Sequence, residues 1–256
     1  MTRNIAAAHP EQSVTASRTI VAFLGSSSTA GKGQAFDFIG ELKRRPGCGR
    51  FDFRNFGVGG DLAYNALQRL PQVVACSPEK VVVWVGANDV LALVSPKVAR
   101  FFRMSKHLPV EPSLDWFREN IRAIAHRLKM ETTASIAFCS LPPIGEDPAS
   151  AVAFQSRLNR GIEEYSETIR DVALKENVGY IPLHENMLEQ IQASPGRAFT
   201  SFRFLPFYRD AFRVIALRKT PDEVAKLNGW RFHSDGVHLN SRGGIIAADL
   251  IQQFLD

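Results

Sequence analysis

The chain has 256 residues, of which 45% are hydrophobic, and this content suffices for one large domain with a sizeable core. Lys and Arg exceed Asp and Glu by five, a modest excess that looks dispersed and favours neutral or anionic partners only weakly. No segment approaches the roughly 20 consecutive apolar residues of a transmembrane helix, and the N-terminus lacks the apolar core of a secretory signal. We therefore expect one cytoplasmic domain over residues 18–256, after a flexible leader over residues 1–17.

Short β-branched runs alternate with longer segments of helical periodicity, a pattern typical of a parallel sheet covered by helices on both faces. The predicted strands are residues 19–24, 51–55, 80–85, 135–141 and 179–183. The predicted helices are residues 36–45, 62–70, 114–130, 151–175 and a last helix that begins near residue 240. The sequence thus predicts an α/β fold, a three-layer α/β/α sandwich with a central parallel five-stranded sheet.

The cysteines Cys48, Cys76 and Cys139 are odd in number and lack CxxC spacing. This usage suits a reducing compartment and argues against a disulfide framework or a zinc site. We expect each cysteine to be a buried structural thiol, and we predict neither a metal site nor a cofactor.

Three serines end the first predicted strand, in the stretch VAFLGSSSTAGKG. In an open parallel sheet this carboxyl edge gathers binding and catalytic residues, and the N-terminus of the following helix favours negative charge. Serine is also a common helix cap, so the junction alone does not distinguish a nucleophile from a structural turn.

Three further polar motifs follow other predicted strands or precede the last helix. They are NFGVGGD after the second strand, GAND after the third and DGVHLN before the last helix. Together with GSSST at residues 25–29, these blocks resemble in order and spacing those of the SGNH branch of the GDSL esterase and lipase superfamily. The resemblance extends from residue 19 to the C-terminus, and SLPPIG after the fourth strand is similar to the proline-containing loop of that family.

The resemblance implies a role for each of five residues. Ser27 would be the nucleophile, His238 its general base and Asp235 the carboxylate that orients His238. The oxyanion hole would consist of the backbone amides of Ser27 and Gly60 and the side-chain amide of Asn88. We predict the flavodoxin-like strand order 2-1-3-4-5, in which the first strand lies between the second and the third, so that Ser27, Gly60 and Asn88 meet.

Two features depart from that pattern or compete with it. Ser26 stands where the family usually has Asp, which removes no catalytic residue but changes the hydrogen bonding and charge beside Ser27. We expect a lower activity or a shifted pH optimum from this substitution. His233 competes with His238 for the role of base, and the family pattern favours His238.

Taken singly, the other motif residues also have structural interpretations. Gly60 fits a turn, Asn88 a helix cap or Asx-turn, and Asp235 a turn. Asp89, which follows Asn88, we expect to give structural support only.

Two excursions from the sheet pattern, residues 95–112 and 196–232, are rich in basic and aromatic residues. The second lies between the fifth strand and the motif with Asp235, so it could form a lid or an acyl pocket. Ordinary packing of a helical insertion and a dimer contact are the alternatives, with arginine stems covering apolar surface. The first excursion could form the opposite wall of the site.

The leading functional hypothesis is a metal-independent serine hydrolase that acts through an acyl-enzyme. Its expected substrate is a small-molecule ester with a short to medium acyl chain, and lysophospholipids, sugar O-acyl groups and thioesters stay open. The first alternative is a non-hydrolytic or acyl-transferring relative. The second is a nucleic-acid-binding protein, which the modest net charge and the lack of a recognised binding fold support poorly. We expect no nucleic acid partner, and we leave open a homo-oligomer.

Overall fold

The computed structural model describes residues 18–202 and 204–256, and the predicted leader over residues 1–17 lies outside the described residues. Five strands form one sheet: β1 (Thr19–Gly25), β2 (Phe51–Gly57), β3 (Lys80–Trp84), β4 (Ser135–Cys139) and β5 (Gly179–Ile181). All neighbouring strands are parallel, and their order is β2-β1-β3-β4-β5. The predicted strand order is confirmed.

The first strand lies between β2 and β3 in the sheet. Gly25 at its end pairs with Gly57 of β2 on one side and with Trp84 of β3 on the other. Residues 21–24 and 81–83 are almost inaccessible to solvent, as expected for strands with helices on both faces. The carboxyl ends of β1, β2 and β3 therefore open side by side at one edge.

Helices connect and cover the strands. They are α1 (Ser27–Ala30), α2 (Phe38–Arg44), α3 (Ala63–Gln68), α4 (Leu70–Ala75), α5 (Ala87–Val94), α6 (Pro96–Ser105), α7 (Leu114–Glu131), α8 (Ala153–Glu176), α9 (Leu183–Ala193), α10 (Phe204–Ile215), α11 (Pro221–Asn228) and α12 (Ser241–Leu255). In the part of the chain that the structure describes, no helix combines the length and the apolar content that crossing a membrane requires.

Two helical layers enclose the sheet and confirm the predicted α/β/α sandwich. In one layer α12 packs against α2 and α9, and in the other α7 packs against α3 and α8. The periodicity explains this placement, because the buried Ile121, Ile124 and Leu128 of α7 recur at three- and four-residue spacing on one face.

Some local predictions differ from the structure. The strands predicted over residues 135–141 and 179–183 end two residues earlier, at Cys139 and Ile181. The helix predicted over residues 62–70 is two helices, because Pro71 has no N–H to continue α3 and instead occupies the first turn of α4, where that donor is not needed. Cys48 and Cys139 are buried as predicted, whereas Cys76 is partly exposed, because it caps the C-terminal end of α4.

The connection between α1 and α2 contacts the loop that precedes α12. The Phe36 N–H donates to the Leu239 carbonyl at 3.0 Å, and the Ser234 hydroxyl donates to the Gln34 carbonyl at 2.7 Å. The Phe36 ring lies so close to Gly244 of α12 that a Cβ on Gly244 would be 2.1 Å from it. These contacts bring the loop before α12 to the carboxyl edge of β1.

We expect Gly244→Ala to lower the free energy of unfolding by about 1–3 kcal/mol, because the added methyl group overlaps the Phe36 ring and forces the ring or α12 to move. Gly49→Ala is the matched control, since a Cβ at Gly49 meets no atom within 4 Å. Urea unfolding followed by circular dichroism measures both variants. Equal midpoints for the two would contradict the close contact.

Candidate active site

The predicted oxyanion residues follow three adjacent strands. Ser27 begins α1 directly after β1, Gly60 lies in the loop after β2, and Asn88 stands in the first turn of α5 after β3. The loop after β2 passes close to the serine, because a Cβ built on Gly59 would be 4.0 Å from the Cβ of Ser27. The strand order thus brings these positions to one edge of the sheet.

The loop before α12 places His238 against Ser27. Ser27 Oγ and His238 Nε2 are 2.8 Å apart, and His238 Nδ1 lies 2.8 Å from Asp235 Oδ2. A carboxylate can only accept, so Nδ1 carries the proton and Nε2 accepts from the Ser27 hydroxyl. The side chains of His238 and Asp235 are only 7% and 5% exposed. The structure therefore brings Ser27, His238 and Asp235 together in one chain of hydrogen bonds.

The pKa values of His238 and Asp235 shift in opposite directions. Burial raises the pKa of the Asp235 carboxyl, but the charge and hydrogen bond of His238 and the backbone N–H groups of Val237 and His238 outweigh burial and bring it below its usual range. Burial lowers the pKa of His238, but the neighbouring carboxylate outweighs burial and brings it above its usual range. The neutral ring that can accept a proton from Ser27 therefore gains population towards alkaline pH.

His233, the competing candidate base, is committed to other partners. Its side chain is fully buried, with Nδ1 2.9 Å from Glu146 Oε1 and Nε2 2.8 Å from the Pro143 carbonyl. The carboxylate and the carbonyl thus engage both ring nitrogens. No ring nitrogen of His233 is left to accept a proton from Ser27.

Glu146 fixes the start of the loop that carries Asp235 and His238. Besides His233, its carboxylate accepts the backbone N–H groups of Arg231, Phe232 and His233 at 2.7–3.1 Å. Burial raises the pKa of Glu146, but the hydrogen bond and charge of His233 and the backbone donors outweigh burial and lower it. Sequence reasoning missed this residue, although it follows the noted SLPPIG segment directly.

Asp61 joins the loop after β2 to two cations that sequence reasoning also missed. Arg69 pairs with Asp61 at 2.7 Å and donates to the carbonyls of Phe56 at 2.6 Å and Gly25 at 3.1 Å. Lys106, from the 95–112 excursion, pairs with Asp61 at 2.8 Å. Asp61 is 3% exposed, so this network holds the ends of β1 and β2 and the intervening loop from within.

Gly60 and Asn88 are fixed by the same loop. Gly60 has a φ of +76°, a backbone conformation that favours glycine, and a Cβ on it would lie 2.9 Å from Cε of Lys106. The side-chain amide of Asn88 donates one N–H to the Asp61 carbonyl at 2.9 Å. The Asn88 side chain is thereby bound to the residue that directly follows Gly60 in the chain.

Asp89 supports this loop from below. Its carboxyl group is fully buried and accepts the N–H of Ala63, the first residue of α3, at 3.2 and 3.4 Å. Burial raises its pKa to about 8, more than the backbone hydrogen bonds lower it. Asp89 is therefore mainly uncharged at neutral pH, and its contact with Ala63 fits the structural role expected for it.

The charge next to Ser27 differs from the usual family pattern. Ser26 is 4% exposed and contributes a neutral hydroxyl where the family usually has a carboxylate. Its carbonyl accepts the Ala30 N–H at 2.9 Å and closes the single turn of α1. Within residues 18–202 and 204–256, no three His, Cys, Asp or Glu side chains form a group that could hold a metal ion.

The 196–232 excursion packs behind the loop with Asp235. A cavity of about 340 Å³ lies there, and its lining includes Arg197, Phe199, Trp230, Asp235 and Val237. Phe199 and Trp230 enclose Gly236, since a Cβ on Gly236 would be 2.6 Å from an atom of each ring. The excursion thus forms a wall against the loop that carries Asp235.

Comparison with known proteins gives the same fold. An acetyl xylan esterase, AlAXEase, superposes with a TM-score of 0.61 at 21% identity, over 93% of this chain and 100% of that one. Axe2, an acetylxylan esterase from Geobacillus stearothermophilus, gives 0.63 at 16% identity over 92% and 93% of the two chains. The lipase/acylhydrolase from Enterococcus faecalis gives 0.59 at 19% identity over 93% and 95%. No curated protein matches the sequence significantly.

The sequence itself matches one family model. That model, the GDSL-like Lipase/Acylhydrolase family, aligns with residues 23–244. The aligned segment begins in β1 before Ser27 and extends into α12 beyond His238, so it includes all the blocks described above. The chain therefore belongs to the GDSL-like lipase/acylhydrolase family.

Proposed function

We propose that the protein hydrolyses carboxylic esters through an acyl-enzyme formed on Ser27. The observation that carries this proposal is the unbroken chain of hydrogen bonds from Ser27 through His238 to Asp235, with 2.8 Å at each link. Membership of an acylhydrolase family supports the same reaction class.

In the proposed acylation step, Ser27 Oγ attacks the ester carbonyl carbon while His238 Nε2 takes the hydroxyl proton. The resulting imidazolium is stabilised by Asp235, and it returns its proton to the departing alkoxide as the ester C–O bond breaks. In deacylation a water molecule takes the place of the serine hydroxyl in the same steps. It gives a proton to His238 and attacks the acyl carbon, which releases the acid and restores the Ser27 hydroxyl.

The proposed oxyanion hole uses the backbone N–H groups of Ser27 and Gly60 and the side-chain amide of Asn88. The close approach of the loop after β2 to Ser27 supports this assignment. So does Asn88, because an amide has two N–H groups and its contact with the Asp61 carbonyl uses one of them.

We propose esters with short to medium acyl chains as substrates. Two proteins of similar fold are named acetyl xylan esterases, which makes acetyl groups on sugars the first natural candidates to test. The cavity behind the Asp235 loop, with its aromatic and arginine lining, offers adjacent room for the part of a substrate remote from the ester.

We expect Ser27→Ala to lose nearly all hydrolysis of p-nitrophenyl esters, by about 10⁴-fold or more in kcat, because no other group supplies the attacking oxygen. Ser28→Ala is the matched control, one residue further along α1, and we expect it to keep activity. Assays from acetyl to palmitoyl esters, on proteins with native circular dichroism, measure both the loss and the acyl preference. A folded Ser27→Ala that hydrolyses like the wild type would refute the proposal, and an inert wild type would favour a non-hydrolytic relative.

The raised pKa of His238 predicts that kcat/KM increases with pH along a limb whose midpoint lies above the usual value for histidine. In Asp235→Asn the carboxylate no longer stabilises the imidazolium, so the midpoint should move to lower pH. The same variant should lose activity by up to about 10⁴-fold, since the ring also loses its orienting partner. A pH–rate profile of both proteins tests this, and an unchanged midpoint would contradict the assignment of Asp235.

Asn88→Ala should lower kcat by about 10²–10³-fold with little change in KM, because an oxyanion donor acts mainly in the transition state. Asn65→Ala is the control for the loss of a nearby structural amide. The Asn65 side chain accepts the Leu62 N–H at the start of α3 and donates to the Lys106 carbonyl. Steady-state kinetics on short-chain p-nitrophenyl esters separates kcat from KM. A loss confined to KM would assign Asn88 to substrate binding instead.

A further inference from the structure

Helix α10 has its apolar side turned to solvent. Leu205, Tyr208, Phe212 and Ile215 are 82%, 54%, 60% and 74% exposed. At 3.6 residues per turn these positions fall within an arc of about 80°, so they form one stripe along the helix. We call these four residues the outer face of α10.

The opposite side of α10 is held by polar contacts. Asp210 is 3% exposed and lies about 180° from the centre of the outer face. It pairs with Arg213 at 2.8 Å and accepts from the Asn228 amide at 2.8 Å. Asn228 also donates to the Ser234 carbonyl at 3.0 Å, next to the catalytic Asp235.

This arrangement inverts the usual orientation of a surface helix, whose apolar stripe faces the core. Turning α10 over would separate Asp210 and Arg213, which pair within the helix, from Asn228 on α11, so the contact with Asn228 favours the orientation with the apolar side outward. Adjacent large apolar side chains that are exposed together typically mark an interaction surface. Leu217 and Leu227, each 56% exposed, add apolar surface in the segments that follow.

The excess charge of the chain is concentrated around this helix. Residues 196–219 contain six Lys and Arg and one Asp, an excess of five that equals the formal net charge of the whole protein. The remainder of the chain is therefore balanced, so the prediction of a dispersed excess is wrong and the excess is local. Arg197, Arg209 and Arg218 of this segment are exposed.

We propose that the outer face of α10 docks on an anionic lipid surface, with the helix lying in the plane of the interface. A helix with Phe, Leu and Ile on one side and basic residues beside them is the form that binds such surfaces, since apolar burial and attraction to anionic headgroups act together. The exposed Arg197, Arg209 and Arg218 are the basic residues here.

The charge and the exposed side chains favour lipid over other occupants. A symmetric dimer through this face would bring two segments of the same positive charge together, which is unfavourable. Nucleic acid would be bound by projecting basic side chains, whereas the outer face of α10 consists of three apolar side chains and a tyrosine.

The docking surface goes beyond the proposed ester hydrolysis and does not depend on it. The two are nevertheless adjacent, because Arg209 and Asp210 of α10 line the same cavity as Asp235 and Val237. A docked molecule would hold this cavity and the catalytic loop next to the lipid surface.

The experiment is flotation of the full-length protein with vesicles, carried out in the Ser27→Ala background so that lipid hydrolysis plays no part. Vesicles of phosphatidylcholine with about 30% phosphatidylglycerol are compared with pure phosphatidylcholine. We expect binding to the anionic vesicles that weakens with added salt. The double variant Phe212→Ser with Ile215→Ser should lower the vesicle partition coefficient by at least about tenfold.

Met130→Ser with Leu174→Ser is the matched control, because each of these side chains is 73% exposed and lies on another helix. Its binding should equal that of the parent protein, and circular dichroism checks the fold of each variant. The proposal is overturned if the α10 variant binds vesicles like the parent or if the parent binds none. A concentration-dependent dimer or DNA retention, in place of vesicle binding, would assign the surface to a second copy or to nucleic acid.

Because flotation is scored without a functional Ser27, loss of the esterase assignment would leave its result unchanged. Conversely, an esterase that fails to float would lose only the docking surface.

Discussion

The buried Glu146 carboxylate is the contact on which the geometry of the site depends. A serine hydroxyl becomes a useful nucleophile only if a base is held at hydrogen-bond distance, and here the proposed base, His238, comes from a loop more than 200 residues further along the chain. Three successive backbone N–H groups and the His233 ring converge on Glu146 and fix where that loop begins. Removing one partner of such a buried pair typically costs about 3–5 kcal/mol, so the loop is strongly held.

A second buried carboxylate, Asp61, has the corresponding role for the proposed oxyanion hole. Arg69 and Lys106 neutralise it, and the guanidinium also reaches the carbonyls at the ends of β1 and β2. The Asp61 carbonyl takes the Asn88 amide, which links this loop to α5. Donors from three strand ends are thus positioned before a substrate arrives, which is what electrostatic stabilisation of an oxyanion requires.

Much of the fold and the positions of the site could be predicted from the sequence, because both follow from local patterns. Alternating strands and helices fix the sandwich, and the strand order puts Ser27, Gly60 and Asn88 at one edge. His238 rather than His233 faces Ser27, as the family pattern favours, but the sequence holds both in the same loop. Only the three-dimensional contacts of His233 remove that ambiguity.

The residues that hold the site could not be found in this way. Glu146, Arg69 and Lys106 act across long sequence separations, and their partners are mostly backbone groups, which leave no trace in side-chain patterns. The break between α3 and α4 could have been foreseen from Pro71, whereas the outward apolar face of α10 could not. Its periodicity is that of a helix packed on a core, and only the burial of Asp210 reveals the inverted orientation.

The uncharged Asp89 makes the stability of the protein depend on pH in the range in which His238 loses its proton. An unfolded chain releases the Asp89 proton near the usual value of 3.8, whereas the folded protein keeps it up to about pH 8. The folded state therefore binds more protons across that interval, and the free energy of unfolding falls as pH rises through it. His238 needs the same rise in pH to become a neutral base. A rise in pH thus makes His238 neutral, as the proposed reaction requires, and at the same time lowers the free energy of unfolding through Asp89, so the two residues bound the proposed working range from below and from above.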